Sequence, residues 1–167
     1  MKSKEIGVKT LMEIRLATLN DQHQVLSVLN KVTLGLQKKG INQWDYPWHE
    51  DKIVSEIKNH HTYVLLMAEE IVGTFCIKDI DFLSELTIIS KSKYLSQIAI
   101  LPEYQGNNLG LVLMDFACSF AIEVNKTIYL DCWAGNDKLR DFYLNTDFKY
   151  QGDFPEDDYF ISIFKFN

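Results

Sequence analysis

Residues 94–131 read YLSQIAILPEYQGNNLGLVLMDFACSFAIEVNKTIYLD, and this stretch decides the fold. A β-rich apolar run from Tyr94 to Leu101 ends at Pro102, and a polar loop carrying Gly106 and Gly110 follows. Leu113, Phe116, Ala117, Phe120, Ala121 and Val124 then recur at helical spacing on one face, which predicts an amphipathic helix with that face buried. A second β-rich run over 127–133 follows too soon for anything but a direct return. The unit is therefore read as βαβ, with parallel strands and a right-handed crossover. Between Gln105 and Leu111 the chain enters a helix whose first NH groups lack intrahelical partners. Those donors and the helix dipole favour an anion such as a pyrophosphate. On spacing alone, the two glycines either let backbone approach a ligand or only make a tight turn.

The run Ile98, Ala99, Ile100, Leu101, Pro102, Glu103, Tyr104, Gln105, Gly106, Asn107, Asn108, Leu109, Gly110 resembles the acetyl-CoA signature of the GNAT superfamily of acetyl-CoA-dependent N-acetyltransferases, whose core is [R/Q]-x-x-G-x-[G/A]. Gln105 and Gly110 match its first and last positions. Asn108 stands where glycine is usual, and Asn tolerates a positive φ better than most residues. A second block, from Leu130 through Asn136 and Tyr143 to Asp147 and Phe148, resembles the family's second half-site, with Asp147 in place of glycine. The resemblance implies an α/β fold of the α+β type: a mixed, mostly antiparallel central sheet, helices on both faces, and a splayed parallel strand pair forming an acyl-CoA cleft. It implies acetyl-CoA as co-substrate. The pantetheine arm would lie on the backbone of Ile98, Ala99 and Ile100. Gln105, Gly106, Asn107, Asn108, Leu109, Gly110 and Leu111 would hold the pyrophosphate, Asn136 would complete the cofactor site, and Tyr143 would serve the leaving thiolate.

The 167 residues fit one domain, with 47% hydrophobic and 13% aromatic residues to fill a core. Residues 1–11, polar and lysine-bearing, read as an extension. With 17 Lys and Arg against 23 Asp and Glu, the net charge of −6 disfavours a nucleic-acid partner. Cys76, Cys118 and Cys132 lie in apolar segments without paired spacing, as thiols of a reducing compartment do. No apolar run approaches the roughly 18 residues of a membrane span, and no signal-peptide core is visible. A cytoplasmic protein with no membrane partner is expected. The oligomeric state stays open, although members of the family are often dimers.

Ile14 to Ala17 predict a strand. Asn20 or Asp21 can cap a helix carrying Val25, Val28, Leu29, Val32 and Leu36, which ends at Lys38, Lys39 and Gly40. The aromatic segment Trp44, Asp45, Tyr46, Pro47, Trp48 precedes a helix from about Glu50 to Asn59. In the family this region covers the acceptor side, which makes Trp44, Tyr46 and Trp48 candidates for the acceptor pocket, where aromatic faces hold a cationic amine; aromatics closing the core are the other reading. Residues 62–68 and 71–78 read as a hairpin around Glu69 and Glu70. Residues 79–92 carry no assignable function. Residues 149–152 and 159–166 read as final strands, and the carboxylates of Asp153, Glu156, Asp157 and Asp158 as a solvated loop tip.

The implied chemistry is direct attack of a primary amine, from a small-molecule or amino-acid-like acceptor, on the thioester. An amine of pKa about 10.4 is charged at pH 7, and exposing its neutral form costs about 4.6 kcal/mol, so a base or a water relay is needed. No base declares itself: Ser96 and Gln97 occupy the strand where relatives often place Glu, and a water relay, Glu69 and Asp81 stay open. Proton transfer from tyrosine, of pKa about 10, to a cysteine-like thiolate of about 8.5 is uphill by about 1.5 units, so Tyr143 is expected to act first by hydrogen bonding. Tyr143 as a packed ring, and Asn136 as a plain N-cap, are the alternatives on residue type alone. His23, His49, His60 and His61 lack metal-ligand spacing, so no metal is expected. A non-catalytic acyl-CoA-binding module is the second reading. A dinucleotide-binding domain fails, because Gln-Gly-Asn-Asn-Leu-Gly is not a G-x-G-x-x-G fingerprint.

Overall fold

The computed structural model describes residues 12–106 and 108–167, so the expected extension over 1–11 and the side chain of Asn107 lie outside the described residues. Seven strands follow in the order β1-β2-β3-β4-β5-β7-β6. They are β1 (Met12–Leu16), β2 (Thr62–Met67), β3 (Glu70–Ile80), β4 (Ser92–Ile100), β5 (Ile128–Trp133), β6 (Lys149–Glu156) and β7 (Tyr159–Phe166). The helices are α1 (Gln22–Lys38), α2 (Glu50–Lys58), α3 (Leu109–Val124) and α4 (Asp137–Leu144). The pairs β1/β2, β2/β3, β5/β7 and β6/β7 are antiparallel, and β4/β5 is parallel, as the mixed sheet was expected to be. Among the described residues, no helix is long and apolar enough to cross a membrane.

The chain divides into two compact units. The first holds the chain up to Cys76 and Gln97–Gly110. Its core forms from the face of α1 that the helical spacing predicts, with Val25, Val28, Leu29 and Val32 buried together with Ile53 and Ile57 of α2 and Val64 and Leu65 of β2. Asp21 precedes α1 and is 7% exposed. Burial of a carboxylate is costly without partners. Asp21 receives Arg15 Nη1 at 2.7 Å, Arg15 Nη2 at 3.2 Å and the Thr18 amide at 2.8 Å. The Arg15 hydrogen bond holds the Asp21 carboxyl below its ordinary range, against the opposing effect of burial.

That shift has a pH consequence. A carboxyl with a lowered folded-state pKa contributes stability above its unfolded value of about 3.9, and this is lost as pH falls through the folded value. Asp21→Asn is therefore expected to lose about 2 kcal/mol at pH 7, discounted for the partly exposed guanidinium. The gap to the wild type in urea unfolding should close as pH drops below the ordinary carboxylate range. A gap that stays constant with pH would remove the ion pair as its cause.

The second unit comprises Ile77–Ser96 and Leu111–Asn167. α3 buries Leu113, Ala117 and Ala121 of the expected face, and also Met114, whereas Val124 is exposed. The expected solvated tip is corrected. β6 runs on through Asp153, Phe154, Pro155 and Glu156, and only Asp157 and Asp158 turn. Pro155 is tolerated because β6 is the edge strand, where a missing NH donor breaks no ladder bond. Asp153 is not free either: its Oδ1 accepts from the hydroxyls of Tyr150, at 2.8 Å, and Ser162. Residues 81–91 have no periodicity, yet Leu83, Leu86 and Ile88 pack with Tyr129, Ile161 and Ile163, and the Ser84 hydroxyl bonds to the Pro155 carbonyl.

Candidate active site

In the first unit, Ala99 is buried, and Ile98 and Ile100 are half-buried. Gln97 sits inside β4 at φ 53, a positive value that a side-chain-bearing residue adopts only under constraint, and Cys76 Sγ reaches its Oε1 at 3.5 Å. After β4, Pro102–Tyr104 makes one 3₁₀ turn, and Gln105 Nε2 donates back to the Ile100 carbonyl at 2.8 Å. This bond closes the loop onto the strand end. Gly106 follows at φ 85 and Asn108 at φ 62. Asn108 thus takes the left-handed conformation for which the usual residue is glycine. α3 then starts at Leu109, itself buried, with Gly110 and Leu111 in its first turn. A Cβ added to Gly106 would meet no heavy atom within 4 Å, so the space beside this backbone is open.

Trp44 and Trp48 contact each other edge to face, with ring centroids 5.4 Å apart, and pack against the core of the same unit. Trp48 Nε1 donates to Thr33 Oγ1 at 2.9 Å, and its amide donates to Asn30 Oδ1 at 2.9 Å. The face of Trp48 already carries Lys52 Nζ, 5.2 Å from the ring centroid. Tyr46 is the exposed member of the three, at 45%. Glu69 lies exposed in the β2–β3 turn, on a cavity of about 380 Å³ shared with Arg15, Asp21 and Lys31.

In the second unit, Asn136 caps α4, its Oδ1 accepting the Leu139 amide at 3.1 Å. Tyr143, near the end of α4, is 5% exposed and packs between Phe142, at 5.4 Å, and Phe164, at 5.5 Å. Burial pushes its phenol well above the ordinary tyrosine range, with Cys132 and Asp131 adding to the effect. It therefore stays protonated and can donate, but does not readily release its proton. Burial likewise raises the Cys132 thiol to about 12, so it is no ready nucleophile. Asp81 is exposed after β3.

The parallel ladder of β4 and β5 spans Lys93↔Ile128 and Tyr94↔Tyr129. Two residues further along β5 stands Asp131, whose Oδ2 accepts the Tyr94 hydroxyl at 2.6 Å. The sequence reading did not single out this carboxylate. Its signal is a lone charge inside the apolar run Ile-Tyr-Leu-Asp-Cys-Trp.

The profile of the Acetyltransferase (GNAT) family matches residues 33–148. This chain belongs to the GNAT acetyltransferase family. It is 27% identical, over 151 residues covering 83% of this chain and 93% of the relative, to an uncharacterized N-acetyltransferase of Archaeoglobus fulgidus. Its fold is similar to a GNAT-family acetyltransferase of Streptococcus agalactiae, with TM-score 0.75, 21% identity, and coverage of 92% and 94% of the two chains. It is also similar to the PaiA N-acetyltransferase of Thermoplasma acidophilum in complex with coenzyme A, with TM-score 0.70, 17% identity, and coverage of 93% and 99%. Acetyl-CoA as co-substrate fits this family.

Proposed function

We propose that the protein transfers the acetyl group of acetyl-CoA to a primary amine of a small-molecule or amino-acid-like acceptor, by direct attack of the amine on the thioester. The observation that carries this reading is the loop before α3. Gly106 and Asn108 both hold a positive φ, the space beside Gly106 is open, and the loop delivers the chain into the first turn of a 16-residue helix. Unpaired amides at such a terminus bind a pyrophosphate through hydrogen bonds and the helix dipole. In this reading Gln105, Gly106, Asn107, Asn108, Leu109, Gly110 and Leu111 hold the pyrophosphate. The backbone of Ile98, Ala99 and Ile100 takes the pantetheine arm, and Asn136 is a further cofactor-binding residue. Tyr143 donates a hydrogen bond to the departing sulfur. Tyr46 is the aromatic residue best placed to meet an acceptor, since Trp48 already carries Lys52. The same reading treats the chain as one acetyltransferase domain with residues 1–11 as an extension.

Thermal unfolding in the presence of acetyl-CoA, free CoA and NAD tests it. A ligand at about 100 times its dissociation constant adds roughly 2.7 kcal/mol, which raises the midpoint of a chain this size by about 5 to 10 °C. Both CoA species are expected to give this shift, and NAD none. Absence of any shift would withdraw the reading.

A further inference from the structure

We propose that Asp131 is the proton acceptor that neutralises the attacking amine, and that the Tyr94 hydroxyl positions its carboxylate. The inference rests on the acetyl-transfer reading above and adds the base which that reading lacks.

Asp131 is the sole charged residue of β5, between the buried Leu130 and Cys132. A half-buried carboxylate normally calls for a cation or several donors. Here the one donor is the Tyr94 hydroxyl on Oδ2, and Oδ1 carries no hydrogen bond among the described residues. One oxygen is held and the other is left able to accept a proton. Strand alternation sets the direction of each group. Asp131 shares a face with Tyr94, Tyr129, Ile161 and Ile163, whereas Leu130, Cys132 and Phe164, against which Tyr143 packs, lie on the other face. A carboxylate on one face and a phenol donor on the other fit a carbonyl attacked from one side while its sulfur leaves on another.

Besides burial, the groups that act on Asp131 are Tyr94 from β4 and Glu156 from β6; Asp131 in turn acts on Tyr159 of β7 and on Cys132 and Tyr143 of the opposite face. None is a cation. The Tyr129 hydroxyl on the same face is occupied by the Ile89 amide. Residues Leu83, Leu86 and Ile88 contribute only apolar surface. Burial and Glu156 raise the carboxyl above its ordinary range, against the opposing Tyr94 bond, and a base of higher pKa accepts a proton from an ammonium more readily.

The step balances as follows. The carboxylate takes one proton from the ammonium, giving the carboxylic acid and the neutral amine. The nitrogen lone pair forms the C–N bond, and the C–S bond breaks with its electron pair passing to sulfur. The second nitrogen proton ends on that sulfur, and Asp131 returns its proton to water.

Wild type, Asp131→Asn and Tyr94→Phe are compared with n-butylamine, charged at pH 7, and with methoxyamine, neutral at pH 7, as acceptors. In Asp131→Asn the side-chain amide oxygen can still accept the Tyr94 hydroxyl, so the local fold is kept. This variant is expected to lower kcat for butylamine about 10²-fold and to replace the plateau of the pH profile by a continuous rise with pH. It should leave methoxyamine acetylation near the wild-type rate. Tyr94→Phe removes the bond that lowers the Asp131 pKa, so the acid limb should move to higher pH, a displacement that a purely structural bond would not produce. Carboxyl-carbon NMR of the CoA-bound protein supplies an independent readout, with Asp131 expected to titrate above the ordinary carboxylate range. An unchanged acid limb in Asp131→Asn, equal losses with both amines, or a carboxyl titrating in the ordinary range would overturn the proposal. Wild-type protein that binds no CoA or acetylates neither amine would instead remove the transfer reading itself, and this proposal with it.

Discussion

On the proposed roles, Tyr143→Phe is expected to lower kcat for acetyl transfer by roughly 10²–10³ while leaving the Kd for acetyl-CoA within a factor of about two. The ring makes the packing contacts with Phe142 and Phe164, and phenylalanine keeps them. Only the hydroxyl is lost, so the unfolding midpoint should move by no more than a few degrees. The burial that raises the phenol's pKa widens the gap to a thiolate beyond the roughly 1.5 units between free tyrosine and a cysteine-like thiol. Full proton transfer is thereby less favourable, and the group acts through a donated hydrogen bond as charge develops on sulfur. The sign for pH follows: a raised phenol stays protonated through pH 10, so the wild-type profile should show no Tyr143-dependent fall up to that pH. Steady-state kinetics with acetyl-CoA, together with calorimetric binding, decide the matter. Unchanged turnover in Tyr143→Phe would return the residue to a packing role.

The parts of this protein that the sequence displays are those whose physics is local. Helical spacing over α1 and the apolar run into β4 need only neighbours three, four or two residues away, and both elements form where the pattern puts them. α3 is read less sharply because it is apolar nearly all round, with Asp115 and Glu123 as its only charges. Periodicity then cannot tell that Met114 is buried while Ile122 is 69% exposed. The acidic run 153–158 misleads for another reason. Pro155 and four carboxylates look like a turn, but an edge strand accepts proline, and Asp153 finds two hydroxyl donors that only pairing with β7 brings near it. Residues 81–91 pack mainly on Tyr129, Phe154, Ile161 and Ile163, all distant in sequence, so no local signal marks them. The candidate site divides in the same way. The positive φ at Asn108 is legible from residue type and family pattern, whereas the Tyr94–Asp131 bond spans 37 positions of sequence and is visible only in three dimensions.

β7 carries the largest expected loss of stability. Phe164 is fully buried, pairs with Leu130 of β5 on one side and Tyr150 of β6 on the other, and lies 5.5 Å from the rings of both Tyr143 and Tyr150. Phe164→Ala removes a ring from the middle of this stack and leaves a void that strands hydrogen-bonded on both edges cannot collapse to fill. Such truncations cost about 3–5 kcal/mol, which for a chain of this length lowers the midpoint by about 8 to 15 °C. Phe164→Leu, which keeps most of the volume, should lose less than half as much. The site should feel the same change. With its supporting ring gone, Tyr143 can leave the position from which it is proposed to donate, so kcat in Phe164→Ala should fall even at temperatures where the variant is fully folded. Urea unfolding monitored by circular dichroism, with kinetics at 15 °C, separates the two effects. A loss below about 1 kcal/mol would mean that the β5–β7–β6 layer repacks around the void. A folded Phe164→Ala with wild-type kcat would show that the ring does not hold Tyr143 in place.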